Sequence, residues 1–74
     1  MDASELGALV RRVRRSQGLT QQALAASANV STRFIHDLEH GKPTAALGLT
    51  LAVLAALGIE VRLVAPDLEQ EPAG

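Results

Sequence analysis

Cysteine is absent from these 74 residues, which excludes disulfides and thiolate zinc sites. Tyrosine is absent as well, and Phe34 is the only aromatic side chain. No Ser, His and acid are spread over separate elements. Ser31, His36 and Asp37 fall within one short segment, where an exposed helix face is a simpler reading than a catalytic set. The composition therefore points away from an enzyme. No apolar run nears the ~20 residues of a membrane-spanning helix, and no secretory signal pattern follows Met1. The expected location is the cytoplasm, with no membrane partner. His36 and His40 stand four apart beside Asp37 and Glu39, as a weak metal pair or as a plain solvated face. The solvated face is the expectation, with no metal and no cofactor.

Charge of one sign is scarce too: the net is -1. Its distribution is more telling. Residues 1–18 set Arg11, Arg12, Arg14 and Arg15 against Asp2 and Glu5, residues 19–58 balance, and residues 59–74 are acidic. A basic front and an acidic end suit two different partners. A chain this short buries only about 60% of the surface its unfolded form exposes. With disulfides excluded, a second subunit is the expected source of extra stability.

Helical spacing is the main positive signal. Ser4 is placed to cap a first helix over 4–17, with Leu6, Leu9, Val10 and Val13 on its buried stripe. Gly18 ends it. Thr20 caps a second helix over 21–27, with Leu24, Ala25 and Ala28 inward and the small Ala25 where two helices cross. Asn29 suits a tight turn because it tolerates positive φ. Val30 plugs the core, and Ser31 caps a third helix over 32–40 with Ile35 and Leu38 inward. Gly41 and Pro43 end it. A connector over 44–48 follows, with Leu47 turning inward and room for a short fifth helix. A fourth helix over 49–57 buries Leu51, Leu54 and Leu57 and stops at Gly58.

Residues 59–64 alternate as a strand does. A lone strand leaves its backbone groups unpaired. It either pairs with the same strand of a second copy, through Ile59, Val61 and Leu63, or lies extended on its own helices. The chain thus divides into a helical domain over 1–58, a dimerising strand over 59–64 and a disordered acidic tail over 65–74.

Residues 20–43 have the layout of a helix-turn-helix, a module that sets one helix in the DNA major groove. Gln21 and Gln22 open the second helix beside free N–H groups that suit a phosphate oxygen, and Ser31 does the same at the third. Thr32 and Arg33 occupy the first exposed turn of the third helix. Arg pairs with guanine and the Thr methyl touches thymine. His36 and Asp37 come one turn later. Asp37 either accepts from a cytosine amino group or holds Arg33, its i,i+4 neighbour. Phe34 is a packed cap or a thymine contact. Lys42 is set to neutralise a phosphate, and Arg11, Arg12 and Arg15 either contact phosphates or form a solvated face.

The pattern L-T-Q-x-x-L-A, then V-S, then I-x-x-L-E-x-G-K-P resembles the phage repressor and Cro type of helix-turn-helix over about residues 5–58. Within it, F-I-x-D-L-E-x-G-K-P-T followed by L-x-x-L-A-A-L-G-I-E-V-R-L resembles the HipB-like antitoxins, autorepressors that pair with HipA-like serine/threonine kinase toxins. The resemblance implies an all-α domain of four or five helices, lambda-repressor-like, with a C-terminal strand pairing across a dimer. It implies that Thr32, Arg33 and Asp37 face bases and that Gln21 and Lys42 contact phosphates. It also implies an Arg14–Glu39 ion pair and an inverted-repeat operator in double-stranded DNA. Asn29 replaces a frequent Gly, and Gly48 a frequent capping Asp or Ser. The leading expectation is a homodimeric autorepressor serving as antitoxin. The alternatives are a regulator with no toxin and a protein-binding adaptor.

Overall fold

Asp2 opens the first helix. In the computed structural model, which describes residues 1–67, its carboxylate accepts from the Glu5 N–H at 2.8 Å and starts α1 at Ala3–Ser16. Ser4, the expected cap, is already helical. A carboxylate two residues earlier does the same work and also favours the positive end of the helix dipole.

The next two starts match the sequence reading. Thr20 accepts from the Ala23 N–H at 3.0 Å and opens α2, Gln21–Ala28. Ser31 accepts from the Phe34 N–H at 3.0 Å and opens α3, Thr32–Glu39. Between them Asn29 sits in the left-handed region at φ 57, ψ 45, and Val30 closes the turn by donating to the Ala25 carbonyl at 3.0 Å. The side chain at 29 thus had to be one that tolerates this conformation.

The connector differs. The fourth helix, α4, runs Leu47–Ala56, two residues ahead of the expected start. No side chain caps it. Thr50, buried, donates its hydroxyl to the Ala46 carbonyl at 2.8 Å. Gly48 therefore lies inside the first turn. Leu47 points outward at 72% exposure, and no fifth helix forms between Pro43 and Ala46. Leu54 and Leu57 are buried as expected, but Val53 takes the central place expected of Leu51, which is 43% exposed.

Val10, Leu24, Ile35 and Val53 are fully enclosed, one from each helix. Ala25, Leu38, Leu54 and Leu57 complete the core. Each large apolar side chain so buried contributes about 1.5–3 kcal/mol. α3 rests on α1 and α2, and α2 also carries α4. Gln17, just past α1, donates its amide to the Leu57 carbonyl at 2.8 Å and ties α1 to the end of α4.

The strand expectation fails. No β-strand forms among the described residues, and the fold there is four helices. Ile59 donates its N–H to the Leu54 carbonyl at 2.9 Å and packs on the core; Val61 is 48% and Leu63 93% exposed. A ladder needs a neighbouring segment to exchange hydrogen bonds with, and 60–64 lie along the Leu6, Leu9 and Leu51 side of the helices without a backbone hydrogen bond to any described segment. The alternation is real in the sequence, but alternation supplies a face and not a partner. Of the expected tail, residues 68–74 lie outside the described residues.

Candidate nucleic-acid interface

α3 is built with two unlike faces. Ile35, Leu38 and Glu39 are buried, whereas Thr32, Arg33 and His36 are exposed and Asp37 is half-exposed. The i,i+3,i+4 spacing of the apolar positions separates the faces. Phe34 is half-buried against the core, which favours its packing role.

The exposed face is tied together by one carboxylate. Arg33 Nε lies 3.1 Å from Asp37 Oδ1 and 3.3 Å from Oδ2. His36 Nδ1 is 3.5 Å from Oδ1, and Lys42 Nζ is 3.8 Å from Oδ2. Partial desolvation by itself would raise the Asp37 pKa, but hydrogen bonds to His36 and Arg33 and the charges of Arg33 and Lys42 hold it below its usual value. Lys42 is fixed in place because its N–H donates to the Asp37 carbonyl at 3.1 Å, just past the end of α3.

A second ion pair anchors α3 from beneath. Arg14 Nε donates to Glu39 Oε2 at 2.7 Å and Nη2 to Oε1 at 3.0 Å, with the side chains 12% and 1% exposed. Nη1 reaches the Leu19 carbonyl at 2.8 Å. Burial pushes the Glu39 carboxyl up, yet the hydrogen bonds from Arg14 and Gln21 hold it below its ordinary value of 4.5. The same bond raises the Arg14 pKa. The structure thus brings Arg14 and Glu39 together as the sequence resemblance implied.

The other expected contacts are placed less uniformly. Gln22 is exposed at the start of α2, but Gln21 turns its amide inward to Glu39 Oε1 at 3.2 Å. Ser31 spends its hydroxyl as acceptor in the cap, where it stays exposed. Arg11, Arg12 and Arg15 are exposed and line an open groove with Ala8 and Glu39; none forms an ion pair among the described residues. The His36 and His40 rings stack with centroids 4.2 Å apart, and His40 Nδ1 donates to the His36 carbonyl at 2.7 Å. Among the described residues no group of three or more His, Cys, Asp or Glu could hold a metal ion, and no helix is long and apolar enough to cross a membrane.

Gly7 escaped the sequence reading. It shares a face of α1 with Val10 and Arg14, and a Cβ there would fall on the Leu38 carbonyl oxygen. A glycine inside a buried helical stripe was the available signal.

The helix-turn-helix domain family matches residues 5–66. The chain is also 52% identical over 63 residues to an uncharacterized HTH-type transcriptional regulator, y4mF, of Sinorhizobium fredii (strain NBRC 101917 / NGR234). That match covers 85% of this chain and 83% of the relative.

Proposed function

This chain belongs to the helix-turn-helix family of DNA-binding transcriptional regulators, and from that premise we propose how it reads its operator. α3 lies in the major groove of duplex DNA, with Thr32, Arg33 and His36 toward base edges beside Asp37. Gln22, Ser31 and Lys42 face phosphates, with one amide hydrogen of Gln21 left to join them, and Arg11 and Arg15 extend the basic margin. The observation that carries this reading is the two-faced α3: a buried anchor of Ile35, Leu38 and Glu39 beneath an exposed polar row. The family is one of regulators and not of catalysts, so the chain is not an enzyme.

The working unit is a homodimer on an inverted repeat. An apolar face supports it: Met1, Leu47 and Leu51 are exposed beside the partly buried Leu6 and Leu9. Side-chain packing over this face by a second copy would form the pair, and an inverted repeat requires its two α3 helices to stand about 34 Å apart, one DNA turn. The relative's name is that of a transcriptional regulator, which supports a regulator without a toxin over the antitoxin of a HipA-like kinase.

Footprinting on DNA upstream of the chain's own gene tests this reading. Wild type should protect two half-sites about one turn apart. Arg33→Ala should lose sequence preference by about tenfold, while Lys42→Ala should weaken binding to all sequences alike and flatten its salt dependence. Equal protection by wild type and Arg33→Ala would refute the assignment of α3.

A further inference from the structure

We propose that Asp37 does not read a base but is the positioning residue that aims Arg33 at guanine, and that it restrains Lys42 until phosphate is met. The proposal rests on the DNA-reading role of α3 and deepens it.

An ionised carboxylate only accepts hydrogen bonds, through about four lone-pair sites. Those of Asp37 already face three cationic or donor groups: Arg33 Nε at 3.1 and 3.3 Å, His36 Nδ1 at 3.5 Å and Lys42 Nζ at 3.8 Å. A cytosine amino group would have to compete with all three for the same carboxylate. The Asp37 side chain is also the recessed member, 23% exposed against 81% for Arg33. What projects beyond it is the guanidinium end.

Engaging Nε leaves Nη1 and Nη2 as the outermost donors of that side chain. Two parallel N–H groups match the N7 and O6 acceptors of guanine in the major groove. Adenine presents its own amino donor there and is rejected. Asp37 therefore acts on specificity through Arg33. Its second effect runs the other way. It adds a negative charge near the phosphate-facing surface and holds Lys42, so it lowers affinity for every sequence.

These opposed effects give a test that separates positioning from general electrostatics. Full-length protein selects preferred duplexes from a pool with a randomised core. Wild type, Asp37→Asn, Arg33→Ala and the double variant are then compared on the selected duplex, on versions with each guanine or cytosine replaced, and on an unselected duplex. Asp37→Asn should lose about tenfold in discrimination at one guanine while binding the unselected duplex at least as tightly as wild type. In the Arg33→Ala background it should change discrimination nowhere.

Two results would overturn the proposal. One is unchanged discrimination in Asp37→Asn, which with uniform tightening would leave only electrostatics. The other is lost discrimination at a cytosine that persists without Arg33, which would make Asp37 a direct reader. A wild type that selects no sequence would instead remove the DNA-reading role itself. Thermal unfolding of Asp37→Asn should stay close to wild type, because only exposed ion pairs are lost and the buried stripe of α3 is untouched.

Discussion

Glu39→Ala is expected to cost about 3–5 kcal/mol of folding stability, the usual penalty for leaving one member of a buried ion pair without its partner. The alanine would strand the Arg14 guanidinium, on a side chain 12% exposed in the intact pair, with only the Leu19 carbonyl left to receive it. Gln21 would lose its acceptor as well. Domains of this kind carry only about 5–15 kcal/mol in total, so a large part of the folded population is at stake. Replacing both partners at once, Arg14→Met with Glu39→Leu, should cost much less than either charge removed alone, because no ion is then left buried. Urea unfolding of the single and double variants decides this. A Glu39→Ala protein as stable as wild type would show that the pair is not what joins α1 to α3.

The same pair contributes to the acid limb of stability. Glu39 has a lowered pKa in the folded state. The unfolded chain therefore binds its proton first as the pH falls. The stabilisation is complete above the ordinary value of 4.5 and is lost as the pH drops through the folded value. Glu39→Gln should flatten the decline in stability below that point.

Gly7→Ala should lower the unfolding midpoint, although alanine improves helix propensity by about 1 kcal/mol. The added Cβ would meet the Leu38 carbonyl oxygen and lie 3.0 Å from the Glu39 oxygen and 3.1 Å from its carbonyl carbon. These are backbone atoms, so no rotamer change relieves the clash. α1 must move off the end of α3. Overpacking of this kind costs about 1–3 kcal/mol and more where backbone has to shift. The clash therefore wins over propensity. Each kcal/mol lost lowers the midpoint by about 4–8 °C in a domain this small. The displacement would also disturb Glu39, to which Arg14, two turns along α1 from Gly7, makes its bonds. A raised midpoint would mean that α1 and α3 are not in backbone contact at this position.

Much of this architecture is legible in the chain because it is decided locally. Thr20 and Ser31 cap as expected because each satisfies an N–H three residues on. Asn29 takes the left-handed conformation that its type allows. Position 37 could be paired with Arg33 by i,i+4 spacing alone. What was misread depends on partners far away in sequence or absent from the chain. Residues 59–64 alternate, but a strand exists only with a neighbour. Gln21 is set for phosphate by its place at a helix start, and its added bond to Glu39, 18 positions later, could not be read from the local sequence. Leu47 reads as core by hydropathy, and only the early start of α4 turns it outward. Lys42 looked solely like a phosphate contact; its approach to Asp37 follows from how the chain leaves α3.

The reading surface itself is tested most directly by following backbone amide shifts of the full chain while duplex DNA carrying the selected sequence is added. The largest changes are expected at Gln22, Ser31, Thr32, Arg33, His36 and Lys42, with Leu47 and Leu51 little moved. Largest changes on the Leu47–Leu51 side, with α3 silent, would contradict it.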